Sequence, residues 1–495
     1  MRGHRWAASG LARPILAGFA VGVALLASAG CAHHGSPGAT GAASSAHGVL
    51  DAPQRAFLDT LEHRTFGFFW DLSDGRNGLT PDRWPTRSFV SVSAVGFALT
   101  AYPIGVERGY ITRQQASERV RNTLRFFWTA PQDSSRSGAT GYHGFFYHFL
   151  DPSTGLRFGD VELSTVDTAL LLAGALFCRG YFDRDDPVET EIRRLAESLN
   201  ARVDWRWAQA RPPTIVLGWT PEAGFLPYDW RGYNETMLVH IMALGSPTHA
   251  VTPATWTAWT RDYKWGSFHG QEYLGFAPLF GHQYSLVWLD LRGVQDDFMR
   301  GKGIDYFENS RRATLAQRSY AIANPEGFAG YGERLWGLSA CDGPLNGTVM
   351  LAGRERELHT YEARGACFTR VSDDGTVTPT AAGGSIAFAP EVVLPVLMAM
   401  RADHGSALFS TYGFLDALNP SLVRDTTVQH GHVVPGHGWY DGDYLGIDQG
   451  PILAMAENLR SELVWRTMRR DPTLVRGLRA AGFRGGWLDS STVGR

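Results

Sequence analysis

Apolar and amphipathic stretches alternate along this chain from about residue 50 onward, each with the spacing of a helix. Six stretches are apolar nearly all round, at 88–102, 163–182, 233–244, 283–291, 385–400 and 448–469. Six with a single apolar stripe lie between them, at 54–72, 113–128, 187–200, 253–263, 304–322 and 406–418. A helix that is apolar on every side belongs in the interior, and one with a single stripe belongs outside it. The pattern predicts an all-α fold, an (α/α)6 toroid of six inner and six outer helices. The inner helices of such a ring run parallel, so their N-termini open at one end. Polar and charged residues stand at those openings: Arg87, Glu162 with Asp167, Glu235, Glu391 and Asp448. A carboxylate in the first turn of an apolar helix is out of place in a core and sensible beside a cavity, so an acidic pocket is expected at that end.

The N-terminal region reads differently. Arg2, His4, Arg5 and Arg13 precede an apolar run from Ile15 to Ala29, which is too short to span a bilayer comfortably, since that takes about 20 residues. Small residues then lead to Cys31, the layout of a signal peptide. Ala29-Gly30-Cys31 fits a bacterial lipoprotein processing site, with Ser28 where leucine is usual. The expectation is a signal peptide over 1–31 with Cys31 acylated, a flexible tether of small polar residues over 32–49, and one domain over 50–495. That places the protein in the periplasm, tethered to the bacterial envelope by lipid, with a soluble periplasmic form as the alternative. A formal net charge of -3, with both signs interspersed, gives no footprint for nucleic acid, and a monomer is expected. Cys178 sits in an apolar helix as a buried thiol. Cys341 and Cys367 lie in loops, where an exported protein could join them as a disulfide.

The loops at the expected pocket end are rich in aromatic residues and glycine: 144–149, Gly218-Trp219, 228–234, Lys264-Trp265 and 437–440. A flat aromatic face beside hydrogen-bonding groups suits a sugar ring, whose C–H face stacks while its hydroxyls bond outward. Two metal-like patterns fail on inspection. His430, His432 and His437 lack a partner carboxylate at helical spacing, and Asp441-Gly442-Asp443 lacks the rest of a calcium loop. No metal or cofactor is expected.

The strings GFFYHFLD (144–151), ELSTVDTALLL (162–172), GYNET (232–236), ALGSPTH (243–249), HGQEYL (269–274), PLFGHQYS (278–285), GLSACDGP (337–344), DGTVTPTAA (374–382) and YLGIDQGP (444–451) together resemble glycoside hydrolase family 144, the glucoamylase-like bacterial β-1,2-glucanases. The resemblance implies an (α/α)6 barrel that cleaves β-1,2-glucosidic linkages with inversion. It lapses at 346–369, which departs from the pattern expected after GLSACDGP.

Hydrolysis with inversion needs one carboxylic acid to protonate the leaving oxygen and one carboxylate to activate water, about 6.5–9.5 Å apart. Glu235 is the expected acid, at a helix start among aromatic residues that would raise its pKa by desolvation. The base stays open among Glu162, Asp167 and Asp448. Glu162 and Asp167 would point about 140° apart on one continuous helix, so only one of them would face substrate there, and Asp448 could instead be an N-cap. Substrate contacts are expected from Arg87, Tyr147, His148, Trp219, Trp230, Tyr233, Asn234, His269, Gln271, Glu272, His282, Gln283, Glu391, Trp439, Tyr444 and Gln449. The chain reads as an inverting hydrolase of β-1,2-glucan or its oligosaccharides. The alternatives are a toroidal glycosidase or lyase for another linkage, and a non-catalytic carbohydrate-binding envelope lipoprotein.

Overall fold

The computed structural model describes residues 50–423 and 426–491. The expected signal peptide, the tether and the acylated Cys31 lie outside the described residues. Fifteen helices carry the fold among the described residues: α1 (Ala52–Leu72), α2 (Val92–Glu107), α3 (Arg113–Thr129), α4 (Thr165–Tyr181), α5 (Pro187–Arg202), α6 (Met237–Gly245), α7 (Ala254–Thr260), α8 (Phe280–Trp288), α9 (Asp297–Lys302), α10 (Tyr306–Ala323), α11 (Pro379–Gly383), α12 (Pro390–His404), α13 (Gly446–Ser461), α14 (Leu463–Met468) and α15 (Pro472–Ala480), before a short terminal turn at Gly486–Ser490.

Local sequence starts the outer helices. Asp51 with Gln54 and Thr112 with Gln115 form reciprocal capping boxes on α1 and α3. Asp186 caps α5 ahead of Pro187, a residue whose missing N–H costs nothing in a first turn. Packing then separates two layers. Every residue of α6 is buried, as is α2 from Val92 to Gly105. In α5 burial is confined to Glu189, Ile192, Leu195, Ala196, Leu199 and Asn200, one stripe facing the interior.

The N-terminal ends of the buried helices are joined in a circuit. Ser91, which caps α2, pairs in a strand with Phe149, and Tyr147 pairs with Leu163 just ahead of α4. Trp230 Nε1 donates to Thr165 Oγ1 at the start of α4, five residues ahead of Glu235 in the chain. Ser285 Oγ of α8 donates to the Glu235 carbonyl ahead of α6 at 2.5 Å. Gln283 Nε2 of α8 donates to the Ala381 carbonyl of α11 and to Ser385 Oγ. Thr380 Oγ1 of α11 donates to the Asp448 carbonyl in α13. The Gly446 N–H of α13 donates to the Asp82 carbonyl, and Arg83 pairs with Leu445, which returns the circuit to the approach of α2. Five short strands, with Phe145–Tyr147, Leu163–Ser164 and Gly218–Thr220 at their centre, form a sheet at this end.

The fold departs from the sequence expectation in four places. The all-α reading omits these short strands, which stiffen the loops at the helix openings. The stretch 385–400 is two elements: a fully buried turn that continues α11, then α12, which exposes Glu391 and Pro395 and is an outer-type helix. The stretch 406–418 is not helical, because Gly405 and Gly413 adopt positive φ and the chain forms the strands Phe409–Ser410 and Gly413–Phe414. The last apolar stretch breaks at Glu462, which is left-handed at φ 57° and separates α13 from α14. Cys178, Cys341 and Cys367 are all free and buried, so the disulfide is absent.

Candidate active site

Glu235 stands two residues ahead of α6, partly exposed, on backbone held from both sides. Asn234 Oδ1 accepts from the N–H and the hydroxyl of Thr236 at 3.0 and 2.6 Å, and Ser285 grips the Glu235 carbonyl. Burial pushes the Glu235 carboxyl up to about 7, the Asp167 charge adds to this, and a backbone hydrogen bond opposes it. A carboxyl so placed keeps its proton near neutrality, as a general acid must.

Beside it lies a carboxylate–imidazole–carboxylate group. His148 Nδ1 is 3.0 Å from Glu162 and Nε2 is 3.6 Å from Asp167. Burial works against the imidazolium, but the Asp167 and Glu162 carboxylates outweigh it and push His148 up to about 9. Burial alone would raise Glu162, yet His148 overrides it and holds that carboxyl below its usual range. Asp167 also accepts from the Ser164 hydroxyl, whose oxygen in turn caps α4 by accepting from the Asp167 N–H. The 140° argument fails because Glu162 precedes a strand and is not helical, so both carboxylates meet on one ring.

Asp82 carries the site onward. The charge of His148 reaches it on one side and that of Asp342 on the other. Arg83 Nη1 donates to Asp342 at 2.6 Å and lies 3.8 Å from Asp443, Nη2 reaches the other Asp342 oxygen at 3.4 Å, and Nε is 3.3 Å from Asp82. Asp342, Asp416 and Asp441 then cluster, and the Asp448 carboxyl lies against that of Asp416. Asp448 is in the first turn of α13 but makes no capping bond. Its buried carboxyl is hydrogen-bonded to that of Asp416, and burial together with Asp416 raises it well above the usual range. Tyr284 closes the ring, since Asp448 and Glu235 both act on its phenol. A hollow of about 590 Å³ adjoins the cluster, lined by Asp441, Tyr444, Trp84, Tyr412 and His432 among others.

Glu162, His148 and Asp167 meet within 3.6 Å, Glu235 lies within electrostatic reach of Asp167, and Glu235 and Asp448 both lie within reach of Tyr284. Tyr444 faces the adjoining hollow. Trp219 packs on Tyr142 and Trp207 at the sheet. His269, Gln271 and Glu272 lie on the hairpin of strands Trp265–Phe268 and Gln271–Leu274, where Glu272 accepts from Trp265 Nε1 at 2.7 Å. Arg87 is exposed on the loop before α2.

Several expected substrate contacts have other work. Tyr147 and Trp439 are fully buried: Arg157 covers the ring of Tyr147, and Trp439 Nε1 donates to the His430 carbonyl, so neither offers a face to a sugar. Tyr233 is buried against Tyr263, Tyr306 and His282, and Asn234 is spent on Thr236. His282 Nε2 is held by the Phe276 carbonyl. Gln283 and Gln449 donate to main-chain carbonyls, the latter to Phe414. Glu391 pairs with Arg311 at 2.6 Å with half its side chain in solvent, since α12 is an outer helix. Asp82, Arg83, Asp342 and Asp416 are residues that sequence reasoning missed. They lie in loops and short strands without helical spacing, and the signals near them were the string GLSACDGP, which contains Asp342, and the rejected Asp441-Gly442-Asp443.

Comparison with known proteins bears on this geometry. A family model described as "Putative glucoamylase" matches residues 227–472. A "putative glucoamylase" of Bacteroides caccae of known structure is 30% identical, with 88% of this chain and 100% of that one aligned at a TM-score of 0.75. The endo-β-1,2-glucanase of Chitinophaga pinensis, solved with sophorotriose and glucose, is 26% identical at a TM-score of 0.75, covering 88% of this chain and 99% of that one. The exo β-1,2-glucooligosaccharide sophorohydrolase of Parabacteroides distasonis is 28% identical over 455 residues, 85% of this chain. The match spans 57% of that relative's length.

Proposed function

The chain belongs to the glucoamylase-like family of bacterial β-1,2-glucanases, and on that premise we propose that it is an inverting glycoside hydrolase acting on β-1,2-glucan or its oligosaccharides. The observation that carries this reading is Glu235: a carboxyl raised to about 7, held on fixed backbone and set in a ring with other carboxylates. Glu235 is the general acid and protonates the glycosidic oxygen. The base that activates water is one of the carboxylates Glu162, Asp167 and Asp448. Glu162 is held in its ionised form by His148, whereas Asp448 must first give up the proton that burial and Asp416 favour. A water between the two groups attacks the anomeric carbon from the face opposite the leaving oxygen, which inverts the configuration.

The circuit of buried helices supports an (α/α)6 toroid with α2, α4, α6, α8, α11 and α13 inside and α1, α3, α5, α7, α10 and α12 outside. The basic and apolar leader ending at Ala29-Gly30-Cys31 supports a chain exported and anchored by lipid on Cys31. Intact-mass measurement of the exported protein tests the anchor, and an unmodified mature N-terminus away from Cys31 rejects it. Incubation with linear and cyclic β-1,2-glucans and with β-1,3- and β-1,4-glucans, followed by product sizing and polarimetry, tests the activity. Release of α-configured products from the β-1,2 substrates alone is the expected result. Equal turnover of another linkage, or none on any substrate, rejects it.

A further inference from the structure

The wall beside His148 continues outward as a file of aromatic rings. The His148 and Phe149 rings lie face to face with centroids 3.9 Å apart, Phe149 lies 3.9 Å from Phe89, and Phe89 lies 5.2 Å from Phe158. Three separate segments supply these rings, and the main chain ties them together. Ser91 pairs with Phe149 just after Phe89, the Asp82 N–H donates to the Phe89 carbonyl at 2.9 Å, and the Phe158 N–H donates to the Phe149 carbonyl at 3.1 Å. At the inner end the His148 N–H donates to the Glu162 carbonyl at 2.9 Å, so the file is keyed to the carboxylates beside it.

The outer end is open. Phe89 and Phe149 are half-buried, but Phe158 is 37% exposed, and among the described residues its ring meets one other ring, that of Phe89. A Cβ placed on the next residue, Gly159, would meet nothing within 4 Å, so the turn leaves this side uncovered. Polar groups flank the ring. Arg87, just ahead of Phe89, and Asp160, just beyond Phe158, are exposed and hold no hydrogen-bond or ionic partner among the described residues. A ring fixed by its backbone and backed by other rings loses little freedom when a ligand stacks on it, and an apolar face beside a free donor and a free acceptor has the composition of a sugar site. We propose that Phe158, backed by Phe89 and Phe149, is a platform for a glucosyl residue of bound β-1,2-glucan that lies outside the linkage being cleaved. This rests on the glycoside hydrolase reading and adds a direction to it: the glucan runs from the acids past His148 and out over the turn at 158–160. A long chain reaches the ring, and the shortest substrates do not.

The test uses the full chain and compares wild type, Phe158→Ala and Phe158→Trp on β-1,2-glucooligosaccharides of defined length and on long linear β-1,2-glucan, with kcat and KM measured for each. Phe158→Ala should raise KM for the long glucan about 3–10-fold, the range of a stacking contact, with kcat within about two-fold, and the loss should vanish on the shortest oligosaccharide cleaved. Phe158→Trp should restore the wild-type KM. Ile322→Ala, which removes an apolar side chain 42% exposed on α10, should match the wild type throughout. Calorimetric binding of the long glucan to Glu235→Gln protein, with and without Phe158→Ala, should show the same weakening in the absence of turnover. Should Phe158→Ala fail to fold, Phe158→Leu, which keeps the bulk and loses the flat face, decides by the same measures. In an active enzyme, an unchanged KM for long glucan, or equal losses on short and long substrates, overturns the platform and leaves the hydrolase reading standing. A wild type that neither binds nor cleaves β-1,2-glucan overturns that reading, and the platform with it.

Discussion

At the residue scale the reading turns on protonation. Glu235→Gln keeps the shape of the side chain and removes the proton donor, so kcat on β-1,2-glucan should fall about 10²–10⁴-fold with little change in fold. Wild-type kcat/KM should decline as pH rises through about 7, where Glu235 loses its proton. The same shift predicts a stability signature. A carboxyl raised above its unfolded value favours folding in its neutral form, so the contribution is full below about 4.5 and is lost as pH rises through about 7. Glu235→Gln should therefore melt a few degrees above the wild type at pH 8 and level with it near pH 4.5. Melts that stay parallel across that range would contradict a desolvated acid at this position. For His148 the sign runs the other way in chemistry and the same way in pH. Its imidazolium, raised from 6.5 to about 9, stabilises the fold fully below 6.5 and loses that effect as pH passes 9. His148→Gln should cost most stability at pH 6, least at pH 10, and should release Glu162 to titrate higher.

At the element scale, close approach of backbones sets the tolerances. α15 packs on α6 through facing glycines: a Cβ at Gly477 would sit 1.9 Å from the Ile241 carbonyl oxygen, and one at Gly245 would sit 1.9 Å from that of Thr473. Gly477→Ala must push the helices apart, and a drop in Tm of several degrees with some loss of activity is expected, measured by thermal melts and β-1,2-glucan hydrolysis. An unchanged Tm would mean that the crossing is looser than this contact. The helices themselves were legible where apolar periodicity was long and capped, as in α2 to α5, each within a few residues of its expected span. Legibility failed where one apolar run served two layers, at 385–400, and where Gly405 and Gly413 turned a helix-like pattern into strands. Among site residues, Glu235, Asp167 and Asp448 were readable because each opens a buried helix. Asp82, Asp342 and Asp416 were not, because only the pairing of distant loops brings them together.

At the scale of the whole molecule, the departure from family pattern at 346–369 becomes a hairpin, Gly347–Leu351 against Arg354–Leu358, tied back by Arg354 and Arg356 to Glu326. Beyond it, Tyr361 pairs with Asp342 on the adjoining strand, and its phenol feels Asp448, Asp416, Asp342 and Asp82. The strand that follows the hairpin thus meets the acidic cluster. Replacing 348–357 by a short Gly-Ser turn should shift the distribution of oligosaccharide lengths released from linear β-1,2-glucan and leave the Glu235-dependent rate on the shortest substrate within a few-fold. Chromatographic sizing of products checks this, and an unaltered distribution would remove the hairpin from any part in selecting chain length.

The contact between α15 and α6 also has a consequence in time. The helix behind Glu235 has its far end covered by residues 472–480, and Arg476 bonds the Gly245 carbonyl that ends it. Asp471, which caps α15, is held in turn by Arg179 at the end of α4. A chain emerging from N- to C-terminus would carry all its cleft residues, Asp448 the last of them, before this clasp exists. The acid would wait for the closing segment to arrive, so a chain still being made would be inert toward glucan until residues 471–480 had been delivered.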